Sequence, residues 1–305
     1  MKIRHQSVQT QNLCLGASPV SVETSRVSID STPPGCAPRV TRVPCARLPP
    51  MSFADKTIIV TGATSGIGRA AARAFGGNRG SVVVVGRQET ELAEVVREVR
   101  AAGGQAVPCV ADVTSEDAPA RIVAAALEMF RRIDVLVNAA GIIAAATLEA
   151  TTDELWDSMM AINLRAPFRL MRAAAPHLTE RKGSVVNVSS VNGLRSFPGV
   201  LAYCVSKAGV DHLTRCAAIE MAPLGVRVNA VNPGVTVTNL HRRSGMQEEQ
   251  YAAFLERSKT THPLGRPGNA DEIADLIVFL ASERAGWMTG ETIPIDGGRH
   301  LTCAR

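Results

Sequence analysis

The stretch YCVSKAG, Tyr203 to Gly209, sets a phenol four residues ahead of a lysine. On a helix, residues at i and i+4 stand one above the other, so this spacing makes the phenol and the ammonium neighbours. A free tyrosine titrates near pH ~10, and a cation beside it favours the phenolate. The pair therefore predicts a Tyr203 of lowered pKa, able to give and take a proton near neutrality. The same spacing also occurs on solvated helix faces, so the rest of the chain has to decide between the two.

A second chemical signal is TGATSGIG, Thr61 to Gly68, which follows a short β-branched run. Its glycines, Gly62, Gly66 and Gly68, permit a tight turn and let backbone approach a pyrophosphate. The N–H groups and dipole of the helix that follows would attract that anion. Dinucleotide sites usually place an acid about 20 residues further on, against the ribose hydroxyls. Here the second predicted strand ends in Gly86 and Arg87, with no carboxylate in that place. A guanidinium suits a 2′-phosphate, which favours NADP(H) over NAD(H). A solvated arginine opening a loop is the plainer reading of Arg87.

These signals need elements to hold them. Continuously apolar runs at 57–62, 81–86, 106–110, 134–138, 184–190, 226–234 and 292–296 read as strands, and helical patterns separate them. One such pattern, 151–178, reads as a single long helix capped by Thr152. Apolar strands alternating with helices imply a parallel sheet covered on both faces. The expected fold is thus α/β, a doubly wound Rossmann sheet of about seven strands.

Composition bounds the alternatives. The chain of 305 residues has a net charge of +5, but residues 1–50 hold six basic and two acidic residues, so the remainder is nearly neutral. Nucleic-acid binding gains no support from that balance, and no apolar run is long enough to span a membrane. Seven scattered cysteines with no C-x-x-C pair argue against a disulfide framework or a zinc site, and fit a reducing, cytoplasmic setting. Residues 1–50, rich in proline and serine, read as a tail outside the folded domain at 51–305. A disordered tail, an organellar targeting segment, and a physiological start at Met51 all fit it.

Taken together, the motifs over residues 56–298 resemble the short-chain dehydrogenase/reductase family, in its compact single-domain branch. TGATSGIG is similar to the family's cofactor turn, VNAAG (137–141) to its fourth-strand motif, and INL with Asn163 to its helical asparagine. VSS with Ser190, YCVSK, and NPGVTVT (232–238) complete the set in the family's order.

The resemblance implies a catalytic tetrad. Tyr203 would exchange a proton with the substrate oxygen, and Lys207 would tune it and hold ribose hydroxyls. Ser190 would hydrogen-bond the carbonyl oxygen, with Ser189 turned to the other face of the strand. Asn163 would hold a proton-relay water. Cofactor contacts implied in the same way are Gly62, Ser65, Gly66, Ile67, Gly68, Arg87, Asp112, Val113, Asn138, Gly141, Tyr203, Lys207, Pro233, Gly234, Thr236 and Thr238. Asp112 would contact adenine, although capping the next helix is its alternative. Asn138 and Gly141 would line the adenosine side, Asn138 in some members serving mainly to lock strands together. Thr236 departs from the aliphatic residue more common at that position.

The implied activity is hydride transfer between nicotinamide and a carbonyl or secondary alcohol. A 3-oxoacyl-carrier reductase and a non-catalytic cofactor-binding regulator are the alternatives. Leu224, where carrier reductases tend to have arginine, speaks mildly against the former. The insert at 236–266 mixes Leu240, Met246, Tyr251, Phe254 and Leu255 with Arg242, Arg243 and Lys259. It would close over a small-molecule substrate, with Arg195 and Phe197 bordering the site. The apolar stripe reads as packing against the domain or as pocket lining, and the basic residues as surface charge or as a welcome for an acidic substrate. Family members assemble as dimers or tetramers through the helices holding Asn163 and Tyr203, so a homotetramer or homodimer is expected.

Overall fold

Four-residue apolar runs such as IIVT and VVVV have no polar face to offer solvent, so a strand built from them must be covered on both sides. The computed structural model describes residues 51–302 and shows that arrangement. Seven parallel strands, β1 (Thr57–Thr61), β2 (Ser81–Gly86), β3 (Gln105–Val110), β4 (Val135–Asn138), β5 (Ser184–Val188), β6 (Arg227–Pro233) and β7 (Thr292–Ile295), form one sheet in the order β3-β2-β1-β4-β5-β6-β7. The expectations for residues 1–50 lie outside the described residues.

Alternation along each strand divides the core in two. Ile58, Val60, Val82 and Val84 pack with α1 (Gly66–Gly77), α2 (Glu89–Ala101) and α10 (Ala270–Ala281) on one face. Ile59, Val83, Val85 and Leu136 pack with α3 (Ala118–Phe130), α5 (Ala166–Arg181) and α7 (Leu201–Met221) on the other. The sheet reverses its winding between β1 and β4, and such a switch point opens a crevice at the carboxyl ends of the strands.

The long helix expected over 151–178 is interrupted. Thr152 caps α4 (Asp153–Met160) by accepting from the Leu155 N–H, as expected. The chain then makes a π turn at Ala161–Arg165, marked by an Ala166 N–H bonded to the Ala161 carbonyl, before α5 resumes. Asn163 sits in the middle of that turn. Helical periodicity cannot reveal a π turn, because one extra residue in the ring barely disturbs the apolar pattern. The insert forms α8 (Leu240–Arg243) and α9 (Glu248–Thr261), and α6 (Val191–Leu194) follows β5.

Candidate active site

The turn after β1 is built on close approach. Gly62 has φ +64°, and a Cβ there would lie 2.8 Å from the Ala139 carbonyl oxygen and the Ala140 nitrogen, after β4. Thr61 fastens the same two segments, its Oγ1 accepting from Ala139 N–H at 3.1 Å and Ala140 N–H at 3.2 Å. Gly68 lies against the Gly62 backbone, and Gly66, at φ +54°, would meet the Thr238 methyl at 3.1 Å. Ser65 stands at the N-cap of α1 without bonding its N–H groups through its side chain. A helix N-terminus left in that state, at the mouth of a cleft only glycine can form, fits the pyrophosphate of a dinucleotide.

From this turn a cleft of about 450 Å³ runs past Gly141 and Ser190 to Tyr203 and Lys207, bounded by Pro233, Gly234, Thr236 and Thr238. It therefore joins the glycine turn to the Tyr203 pair. A larger cleft of about 630 Å³ around Lys56, Asp134 and Arg227 lies at the amino ends of the strands and holds none of the expected site residues. In open parallel sheets the ligand crevice lies at the carboxyl ends, which favours the first.

Tyr203 and Lys207 share the first turns of α7 and are both almost fully buried, at 6% and 4% exposure. Burial pushes the Tyr203 phenol up to about 12, offset in part by the neighbouring Ser190 hydroxyl. The Lys207 ammonium is brought down to about 8 by burial, with the Asp211 carboxylate acting the other way. The direction for Tyr203 is opposite to that expected from the i, i+4 spacing. The reason is that a low-dielectric setting penalises phenolate and ammonium alike. The Lys207 Nζ donates instead to the Val188 carbonyl at 2.8 Å, at the end of β5.

Ser190 caps α6; its Oγ accepts from the Asn192 N–H at 3.1 Å and donates to Asn192 Oδ1 at 3.2 Å. Ser189 faces away, its hydroxyl donating to the Lys207 carbonyl at 3.1 Å. The expected division between the two serines is what the strand's alternation produces. Asn163 is 1% exposed and fully occupied by protein. Its Oδ1 accepts from the Ile142 N–H at 2.9 Å, and its Nδ2 reaches the Ile142 carbonyl and Ser206 Oγ, each at 3.0 Å. Its side chain thus braces the loop after β4, in place of the water-holding role the resemblance implies for it.

Other expected residues divide. Arg87 lies on the cleft with an exposed side chain, 3.9 Å from Asp112 Oδ2. Asp112 accepts from the Thr114 N–H and hydroxyl, which tightens its own turn and lowers its pKa, while Asp117 takes the N-cap of α3. Val113 and Asn138 flank a smaller cavity between α3 and α5. Asn138 Nδ2 donates to Asn187 Oδ1 at 2.8 Å, tying β4 to β5. Gly141 faces the catalytic end, since a Cβ there would sit 3.3 Å from Asn163 Oδ1 and 3.6 Å from Lys207 Nζ. That differs from the adenosine-side position expected for it. The Thr236 hydroxyl donates to the Gly234 carbonyl at 3.1 Å, so a polar side chain is satisfied where an aliphatic one is commoner.

Three positioning residues hold the site from behind, of which the sequence marks only Tyr251, and that as part of the insert's apolar stripe. Tyr251, in α9, is buried, and its OH both accepts from the Thr238 N–H at 3.2 Å and donates to the Thr238 carbonyl at 3.0 Å. His262 accepts from the Val235 N–H through Nε2 at 3.1 Å and donates from Nδ1 to the Ser258 carbonyl at 2.9 Å, which fixes its neutral tautomer. Buried Asp211 accepts from Asn232 Nδ2, which also donates to the Ser190 carbonyl, so it steadies the segment carrying Ser190 from behind.

A family model described as enoyl-(acyl carrier protein) reductase matches residues 62–300. The chain is 37% identical to a 3-oxoacyl-[acyl-carrier-protein] reductase of Thermotoga maritima, over 81% of this chain and 99% of that one. It is 37% identical to an L-rhamnose 1-dehydrogenase (NAD(P)(+)) of Azotobacter vinelandii and 36% to a 3beta-hydroxysteroid dehydrogenase of Eggerthella lenta, covering 81% of this chain each time and 98% and 94% of theirs. A solved short-chain dehydrogenase/reductase of Caenorhabditis elegans superposes with a TM-score of 0.75 at 35% identity, over 82% of this chain and 97% of that one. Relatives named for an acyl thioester, a sugar and a steroid are equally similar, so overall identity does not select a substrate.

Proposed function

The chain belongs to the short-chain dehydrogenase/reductase family of oxidoreductases acting on CH–OH and C=O groups, and from that premise we propose an NADP(H)-preferring reductase or dehydrogenase in which Tyr203 is the general acid and base. The observation that carries it is the shared cleft: the glycine turn, Ser190, Tyr203 and Lys207 all line one cavity. Bound there, the nicotinamide would supply or accept the hydride.

The protein's own groups do the rest. A phenol raised to about 12 is protonated at neutral pH and ready to give its proton to a carbonyl oxygen. Ser190 turns its hydroxyl from Asn192 toward the same oxygen, and Lys207 leaves the Val188 carbonyl to bind ribose hydroxyls and stabilise the phenolate that forms. Asn163, through the loop it braces, holds Gly141 beside Lys207. Val235 and Thr238, pinned by His262 and Tyr251, orient the carboxamide side. Tyr203→Phe should abolish turnover and leave cofactor affinity within about twofold, because the ring still fills its site. Turnover that survives would refute the assignment.

NADP(H) is favoured because Arg87 stands where a carboxylate would otherwise bind the ribose hydroxyls, its only ion-pair partner among the described residues being distant Asp112. We read the assembly as a homotetramer. Phe168 on α5 and Val205 on α7 are 44% exposed each, which supports pairing through those helices. Light scattering that finds only monomer would overturn that reading. Free Cys109, Cys204 and Cys216 suit a reducing, cytoplasmic compartment.

A further inference from the structure

The basic residues around the substrate end of the cleft are mostly committed elsewhere. Arg242 pairs with Glu248 at 2.6 Å, Arg243 with Glu91 at 3.4 Å, and Lys259 with Glu256 at 2.6 Å. Arg195 donates to the carbonyls of His300 and Thr302, so it clamps the segment after β7, and it does not line the cleft. One guanidinium on the cleft wall is different. Arg299, held by that clamped segment, is half-buried and has no carboxylate partner among the described residues.

Its orientation is fixed by two contacts. The guanidinium carbon lies 4.7 Å from the centre of the Phe197 ring, and Nη1 donates to Thr261 Oγ1 at 2.7 Å. Phe197 and Arg299 line the same cavity as Tyr203. With Nη1 committed to Thr261, the other N–H groups of the planar fork have no hydrogen-bond partner among the described residues, and such a fork can bind two oxygens of one anion. No aspartate or glutamate lines the cavity among the described residues. Burial withdraws Arg299 from water and nearby Arg257 adds positive charge, both of which lower its pKa, with the Asp296 carboxylate acting the other way. A cation partly desolvated in this way, with no carboxylate in ion-pair contact among the described residues, lacks the direct partner that buried charges normally have. The other walls at this end, Ile143, Val200 and Phe254, are apolar.

We propose that Arg299 is a specificity residue that binds a carboxylate of the substrate, so that the carbonyl compound turned over in this cleft is an oxo acid with an otherwise apolar body. This rests on the oxidoreductase reading and narrows its substrate class. Tyr203 and Ser190 would hold the reacting oxygen, and Arg299 the acid at the far end of the same molecule.

The test uses the full-length protein loaded with NADP⁺. A homologous series of methyl-ketone acids and their methyl esters is titrated by calorimetry into wild type, Arg299→Gln and Arg299→Lys, and turnover of each is followed with NADPH. At least one acid should bind wild type roughly 10- to 100-fold more tightly than its ester, as expected for a charge-assisted pair. Arg299→Gln should lose that margin while ester and cofactor affinities stay unchanged, and Arg299→Lys should recover part of it. Equal binding of acids and esters by wild type would overturn the proposal without needing any variant. So would an equal loss for both in Arg299→Gln. Acid binding that depends on Arg299 with no turnover of any member would instead sink the oxidoreductase reading and leave the carboxylate site standing.

Discussion

Lys207 Nζ lies 5.7 Å from the centre of the Tyr203 ring while it donates to the Val188 carbonyl. Its charge is buried with one backbone acceptor and the more distant Asp211 carboxylate for company. Lys207 is therefore held in a state that costs stability in the free protein.

A pH dependence follows from that burial. The Lys207 pKa is about 8 in the folded protein against 10.5 for the ordinary group. Between those values the unfolded chain binds more protons than the folded one, so stability rises with pH across that window and lacks the contribution below it. The difference corresponds to about 3 kcal/mol at neutral pH. Lys207→Met should abolish activity yet unfold no more easily than wild type at pH ~7, and its stability should no longer climb from pH ~8 to ~10.5. Chemical denaturation across that range measures both. An identical climb in the two proteins would show that Lys207 is not the titrating group.

Two glycines of the first helix region separate backbone need from simple flexibility. Gly62→Ala must push the Ala139–Ala140 backbone away and hold an alanine at φ +64°. A cost of roughly 2–4 kcal/mol and loss of cofactor binding are expected, read from thermal unfolding and NADPH fluorescence. At Gly77, the last residue of α1, a Cβ meets nothing within 4 Å. Gly77→Ala should leave binding intact and stabilise by up to about 1 kcal/mol.

Arg87→Gln tests the cofactor preference. A guanidinium serving a 2′-phosphate contributes roughly 1.5–3 kcal/mol through charged hydrogen bonds. The KM for NADPH should rise about 10- to 100-fold while that for NADH stays within twofold. Parallel changes for both cofactors would reduce Arg87 to a solvated loop residue.

The sequence by itself determined the sheet and the glycine turn, and offered the Tyr203–Lys207 pair as a candidate. Apolar runs such as SVVVVG can only be doubly covered strands, and Gly62 and Gly68 mark a backbone contact no larger residue permits, whereas the spacing of Tyr203 and Lys207 leaves two readings open and the role of Ser190 comes only from the family resemblance. Those are local properties, set by period and by side-chain size. Only the tertiary structure decided the electrostatics and the neighbours. Whether Tyr203 is lowered by a cation or raised by burial depends on how much water the fold removes. Whether Asn163 faces a water or the Ile142 backbone depends on a π turn that leaves no periodic trace. The pairing of Arg243 with Glu91 of α2, and the absence of a carboxylate partner for Arg299 among the described residues, arise from packing between distant parts of the chain. Contacts between residues a hundred positions apart are fixed by packing, and no spacing along the chain records them.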